Sequence, residues 1–142
     1  FPAEKSESLT AVALLCRIFT TDAGTVKRWQ DHPDYASLKK NADLIAAKLP
    51  KWDHDGSIDL YYWYYATFAL NQWGGQHWKN WEKAIGTALV PNQRREDKAD
   101  NFFGSWDPAD AWGEEGGRVY STAICALILE VYYRYAKVLG AR

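Results

Sequence analysis

The chain has 142 residues, which suits a single domain, and its 47% hydrophobic and 25% charged residues are typical of a globular protein. Seventeen basic against eighteen acidic residues give a net charge of −1 without a basic stripe, so we expect no nucleic-acid partner. No apolar stretch reaches the ~20 residues of a membrane span without polar interruption, so we expect no span.

Two features of composition stand out. The aromatic residues, 15% of the chain, exceed what a core of this size usually needs. The chain has no Met and begins at Phe1, so we expect residues 1–142 to be one domain of a longer protein or a processed product. The compartment is therefore unknown. Cys16 and Cys125 lie in apolar helical runs, which predicts buried free thiols, with a disulfide left open.

The first half of the chain predicts two helices of different character. Ser6 or Ser8 can cap the first, whose apolar run from Leu9 to Phe19 indicates a helix buried on nearly all sides. The second, between Pro33 and Pro50, is amphipathic. Its apolar stripe consists of Tyr35, Leu38, Ala42, Ile45 and Leu49.

The same order recurs in the second half. A very aromatic helix is predicted from about Ile58 to Trp73, with the glycine pair 74–75 as its stop. An amphipathic helix follows, with an apolar side formed by Trp78, Trp81, Ile85 and Leu89. After a long loop, 92–117, a final apolar helix is predicted over 119–139.

The three apolar helices also share sequence. The runs that begin at Ala11, Ala66 and Ala123 align at offsets of 55 and 57 residues, which predicts an internal repeat of long helical hairpins. Alternating buried and amphipathic helices imply an inner and an outer layer. We therefore expect an all-α fold.

Three segments carry a family resemblance: Asp59–Thr67, Gln93 with Gly104-Ser105-Trp106, and Gly116–Ala123. Over about residues 6–139 they resemble the prenyltransferase and squalene-cyclase repeat superfamily, most closely the bacterial squalene-cyclase-like repeat proteins of unassigned activity. The Gln93…Gly104-x-Trp106 element is similar to the family's QW motif, which ties a loop to a helix. The resemblance implies a partial α/α toroid, and a homodimer could complete the ring.

The family's catalytic signatures are missing. The Asp-x-Asp-Asp motif of the cyclases is absent, and the zinc ligands of protein prenyltransferases have no matching cluster. We therefore expect a non-catalytic module without a cofactor that binds a protein partner, a peptide or a small apolar ligand through an aromatic inner face. A terpene-cyclase-like or prenyltransferase-like enzyme, and a carbohydrate-binding or glycan-active domain, remain the alternatives.

Several residues are candidates for contact with a ligand. Aromatic side chains near the starts of the inner helices could form a pocket for an apolar chain, a sugar ring or a cation, and an arginine beside acids could bind an anion or tie down its own loop. The candidates are Tyr62, Trp63, Trp106, Asp107, Arg118 and Tyr120. Asp107, Asp110, Glu114 and Glu115 could also supply a carboxylate pair for glycoside hydrolysis, although turn residues are the simpler interpretation.

One acidic loop resembles the start of a calcium loop. Asp53, Asp55 and Asp59 alternate along it, with Gly56 at the turn, but the later bidentate Glu is absent. A solvated turn is the alternative, and Asp59 is more simply the cap of the following helix.

Overall fold

The computed structural model describes residues 6–53, 57–134 and 137–138. The α-helices in these residues are α1 Glu7–Phe19, α2 Tyr35–Ala46, α3 Leu60–Trp73, α4 Gly75–Leu89 and α5 Gly113–Arg134. Two single turns of 3₁₀ helix cover Trp29–Asp31 and Val90–Asn92. The described ranges contain no strand, which confirms the predicted all-α fold.

The helix ends follow local capping chemistry. Ser6, one of the two predicted caps, accepts a hydrogen bond from the backbone N–H of Leu9 at the start of α1. Asp59 does the same for the N–H of Tyr62 in α3, at 2.8 Å, so its predicted capping role is confirmed. Gly74 ends α3 with a φ of +80°, a conformation that glycine adopts without steric cost.

Helix α5 begins with a separate turn. Gly117 has φ +59° and ψ −163°, so it interrupts the helix between its first turn, 113–116, and its long part. That long part starts next to Val119, where the sequence predicted it. The predicted end at Leu139 lies outside the described residues.

Helix α3 is the centre of the molecule. It packs between α1 and α5, while α2 packs on α1 and α3, and α4 packs on α3 and α2. Helices α1, α3 and α5 therefore form an inner row, and α2 and α4 form an outer layer against it.

The three inner helices run in the same direction. Ser8 and Asp59, both at helix starts, are joined by a hydrogen bond of 3.3 Å between the Ser8 hydroxyl and the Asp59 carboxylate. At the other end of α3, the Gln72 side chain accepts a hydrogen bond from the N–H of Val138, beyond the end of α5. Helix α2 runs the opposite way, since the Tyr62 hydroxyl at the start of α3 donates to the Ile45 carbonyl near the end of α2.

The predicted apolar stripes are largely confirmed. The stripe of α4 is buried, as are Leu38, Ala42 and Ile45 of α2. Tyr35 is half-buried. The prediction is wrong for Leu49, which lies beyond the end of α2 and is exposed.

Helix α1 is less buried than predicted. Leu9 and Cys16 are exposed because, among the described residues, α3 is the one inner helix that packs on α1 and no other helix covers the opposite face. The predicted burial of Cys16 is therefore wrong, whereas Cys125 is buried as predicted; both thiols are free. None of the described helices combines the length and apolar character needed to cross a bilayer.

Candidate functional site

Three of the predicted ligand-contact residues belong to the core. Tyr62, Trp63 and Trp106 retain only 2%, 2% and 4% of their accessible surface. The Tyr62 hydroxyl donates to backbone carbonyls of α2, and burial raises the pKa of its phenol. The three rings support the fold, and Tyr62 and Trp63 also line a cleft of about 260 Å³ beside Asp59. Contact of these three residues with a ligand stays a prediction.

Trp106 joins the long loop to two helices. Its indole N–H donates to the carbonyl of Leu89 at 2.8 Å, and its backbone N–H donates to the Thr122 hydroxyl at 3.2 Å. The Gln93 side-chain amide donates to the carbonyl of Gly104 at 2.8 Å, which closes the base of the insertion between them. The residues that carry the family resemblance therefore hold the loop in place.

Arg118 also holds this loop. Its guanidinium pairs with Asp107, donates to the Ser105 hydroxyl at 3.0 Å, and lies 4.3 Å from the ring centroid of Phe102. These contacts favour the predicted role of tying down the acidic loop over that of binding an external anion.

The predicted calcium loop is described only in part. Asp53 is exposed, and both carboxylate oxygens of Asp59 accept hydrogen bonds from the protein, while Asp55 lies outside the described residues. Across the described ranges no three His, Cys, Asp or Glu side chains are grouped as metal ligands would be. Calcium binding stays a prediction from the sequence.

A different cleft, lined mainly by aromatic side chains, lies at the N-terminal ends of α3 and α5. The cleft has a volume of about 400 Å³, and its surface is almost entirely apolar. It is lined by Tyr61, Trp112, Glu115, Gly116 and Tyr120. Of the six predicted contact residues, Tyr120 alone lines it. We call these five residues the aromatic cleft.

One glycine sets the position of the Tyr120 ring. A Cβ built on Gly116 would lie 2.5 Å from the Tyr120 Cβ and 2.7 Å from its Cγ, closer than non-bonded carbon atoms approach. The first turn of α5 can therefore pass against Tyr120 only because residue 116 has no side chain.

Asp110 lies behind the cleft and is buried, with 7% of its surface accessible. The Tyr120 hydroxyl donates to its Oδ2 at 3.4 Å, while Oδ1 has no hydrogen-bond partner in the part of the chain that the structure describes. Burial is the main cause that raises the pKa of Asp110, and the charge of Asp59 adds to it. Burial, and then the charge of Asp110, raises the pKa of Tyr120 as well.

This arrangement can hold a small molecule against aromatic faces, with an acid nearby. Tyr61 and Trp112 are 39% and 49% exposed, so their rings are available for contact. Sequence reasoning missed Trp112 and did not single out Tyr61. Tyr61 belongs to the aromatic run 61–65, in which the sequence does not show which ring lies outside the bundle, and Trp112 lies in a loop without periodicity.

A second groove lies on the outer layer, between the end of α2 and α4. It is larger, at about 530 Å³, and Leu49, Trp52 and Ala84 are among its lining residues. Trp52 is the only aromatic residue among those that line it, and neither Asp110 nor Tyr120 is among them, so the aromatic cleft is the better candidate.

Comparisons of the chain with protein-family models, curated proteins and solved structures gave no match.

Proposed function

We propose that the protein is a non-catalytic helical module that binds a small apolar ligand in the aromatic cleft. The observation that carries the proposal is the exposure of Tyr61 and Trp112 around one apolar cleft, although neighbouring aromatic residues such as Tyr62 and Trp63 are buried. Large exposed rings cost free energy in water unless a ligand or partner covers them, so they mark a contact surface.

The size and lining of the cleft define the ligand. A volume of about 400 Å³ lies within the range of small-molecule sites. The apolar surface favours a hydrocarbon or aromatic group, and Glu115 at the edge favours a positively charged or hydroxyl-bearing end. The proposed ligand is therefore a small molecule with an apolar body and a hydrogen-bond donor or cation at one end.

Fluorescence titration with N-phenyl-1-naphthylamine, a neutral apolar probe, tests this proposal. Trp112→Ala should weaken binding of the probe about tenfold, because losing one aromatic contact costs roughly 1 kcal/mol or more. Phe103→Ala is the matched control, since Phe103 is similarly exposed in the same long loop but lies outside the cleft. Equal affinities in the two variants would contradict the proposal.

Native mass spectrometry of the purified chain is a second test, because it detects a small molecule that stays bound. Retention of a small molecule that is lost in Trp112→Ala would identify the ligand directly. The ligand should also be lost in Tyr61→Ala, because Tyr61 lines the same cleft.

Asp110 favours a second candidate function, acid catalysis on a bound isoprenoid or glycan. A buried carboxyl with a raised pKa beside an aromatic cleft has the properties of a general acid. Product formation from farnesyl diphosphate or from p-nitrophenyl glycosides, lost in Asp110→Asn but kept in Asp53→Asn, would replace the binding module with this enzyme.

A further inference from the structure

The groove between the end of α2 and α4, which we call the outer groove, has a volume of about 530 Å³ and a mainly apolar surface. We propose that it binds a free fatty acid, with the alkyl chain lying along α4 and the carboxylate held between Lys51 and Lys83. The volume lies within the range of small-molecule sites. The proposal is independent of the aromatic cleft, because the two sites share no lining residue.

One wall of the outer groove is a single stripe along α4. Its residues follow one another at helical spacings of three and four positions and therefore share one face of the helix. They are Asn80, Lys83, Ala84, Thr87 and Ala88. The stripe is about 12 Å long, because each residue of an α-helix rises about 1.5 Å. Three of the five side chains are small, so the wall has the length and the room for a single alkyl chain.

The opposite wall is the segment that follows α2. Leu49 is 41% exposed and Trp52 is half-buried, and both line the outer groove. The Trp52 ring lies 6.2 Å from the ring of Trp63, centroid to centroid, which holds it against the helical layer. An alkyl chain in the groove would remove apolar surface of Leu49 and Trp52 from water, which favours binding.

The uncharged polar side chains of the outer groove already bond within the protein. The Thr87 hydroxyl donates to the carbonyl of Lys83 at 2.9 Å, and the Asn92 amide donates to a carbonyl in the last turn of α4 at 2.9 Å. The Asn80 amide oxygen accepts from the side chain of Gln76 at 2.7 Å. The two lysines are therefore the strongest hydrogen-bond donors left for a ligand.

Each wall carries one of these lysines, Lys51 on the segment after α2 and Lys83 on α4. In the part of the chain that the structure describes, neither makes an ion pair, whereas the neighbouring Lys48 pairs with Glu7. Asp53 is the one acid among the described lining residues, so two lysines and one aspartate give the groove a net positive charge on a chain of net charge −1. An apolar groove with a positive charge matches a ligand with an apolar chain and an anionic head.

Isothermal titration calorimetry with dodecanoate, below its micellar concentration, tests the proposal. The carboxylate is ionised at about pH 7.5. Dodecyltrimethylammonium has the same alkyl chain and a cationic head, so it should bind at least about tenfold more weakly than dodecanoate. Equal affinities for the two compounds, or no binding of dodecanoate, would overturn the proposal.

Charge variants test the head-group position. Lys83→Gln should weaken binding of dodecanoate about tenfold, because one charge-assisted hydrogen bond is lost, and Lys83→Arg should bind nearly as well as the parent chain. Lys79→Gln is the matched control: it removes the same charge from an exposed position of α4 outside the groove and should leave the affinity unchanged. Equal losses in Lys83→Gln and Lys79→Gln would contradict the assignment.

Asp53 supplies a test of the opposite sign. Asp53→Asn removes the acid from the lining, so it should strengthen binding of dodecanoate about twofold or more. Weaker binding in this variant would mean that the carboxylate of the ligand does not lie near the lysines.

A variant that fills the outer groove tests the position of the alkyl chain. Ala84 is half-buried within the α4 stripe, so Ala84→Leu should narrow the groove and weaken binding of dodecanoate about tenfold. Leu is a good helix former, and circular dichroism should show unchanged helix content. Ala36→Leu on the exposed face of α2 is the control and should bind like the parent chain.

A cleft variant separates the outer groove from the aromatic cleft. Trp112→Ala should leave the affinity for dodecanoate unchanged, since Trp112 does not line the outer groove. A loss in Trp112→Ala together with unchanged affinity in Ala84→Leu would place the fatty acid in the aromatic cleft and overturn the proposal. Binding to vesicles of phosphatidylcholine and phosphatidylserine without binding of free dodecanoate would indicate a membrane surface instead and would also overturn it.

Discussion

The indole N–H of Trp106 donates to the backbone carbonyl oxygen of Leu89 across 2.8 Å, although the two residues lie 17 positions apart. Leu89 is the last residue of α4, so its carbonyl is one of those that a helix end leaves without an intrahelical partner. One side chain from the long loop thus satisfies the end of an outer helix and fixes the path of the loop toward α5.

Replacing Trp106 should measure how much this hydrogen bond contributes to the free energy of unfolding. We expect Trp106→Phe to lower the free energy of unfolding by about 1–3 kcal/mol, because the buried Leu89 carbonyl loses its donor. Trp112→Phe is the control, since Trp112 is exposed, and should change stability by less than about 0.5 kcal/mol. Urea unfolding followed by circular dichroism measures both, and equal losses would contradict the assignment.

The buried acid should make stability depend on pH in a particular direction. Burial raises the pKa of Asp110, so the folded state prefers the neutral acid, and ionisation penalises folding as pH rises from the unfolded pKa through the folded one. The Asp110→Asn variant should therefore be more stable than the parent chain at about pH 7. The difference should be smallest at about pH 3, where Asp110 of the parent chain is protonated in both the folded and the unfolded state.

Chemical denaturation at several pH values measures this difference. Asp53→Asn removes the same charge from an exposed position and is the control for net charge. A gain for Asp110→Asn that is independent of pH, or equal to that of Asp53→Asn, would show that burial of the Asp110 charge is not the cause.

Arg118 should govern the order of the long loop. Arg118→Met removes the contacts with Asp107, Ser105 and Phe102, so we expect faster cleavage within residues 93–112 during limited proteolysis. Arg118→Lys should restore only part of the protection, because an ammonium cannot reproduce the planar fork of a guanidinium.

Arg28→Met serves as the control for this experiment. Arg28 forms an exposed pair with Asp31 at the first 3₁₀ turn, away from the long loop. Its loss should leave the cleavage rate in residues 93–112 unchanged; faster cleavage there in both variants would indicate general destabilisation instead.

Replacing Gly116 and Gly86 by alanine should change stability in opposite directions. Gly116→Ala forces the Tyr120 ring to move, so it should weaken probe binding in the aromatic cleft at least several-fold and lower stability. Gly86 lies inside α4 with open space where a Cβ would point, so Gly86→Ala should raise stability by about 0.5–1 kcal/mol without affecting the cleft. Thermal unfolding and probe titration of both variants check the pair.

Much of the fold could be predicted because it depends on local chemistry. The caps Ser6 and Asp59, the stop at Gly74 and the apolar stripe of α4 each follow from a few neighbouring residues. The aromatic cleft could not be predicted in this way. Tyr61 and Tyr62 are adjacent and chemically alike, yet one lines the cleft and the other hydrogen-bonds to α2.

The sequence by itself determined the all-α fold class and the order of the helices, because periodicity and capping are properties of short segments. Only the tertiary structure decided which aromatic residues are accessible, that Asp110 is buried behind Tyr120, and that Cys16 is exposed while Cys125 is not. Burial depends on the neighbours a helix finds in space, and in the part of the chain that the structure describes α1 and α5 each have an inner neighbour on one side only.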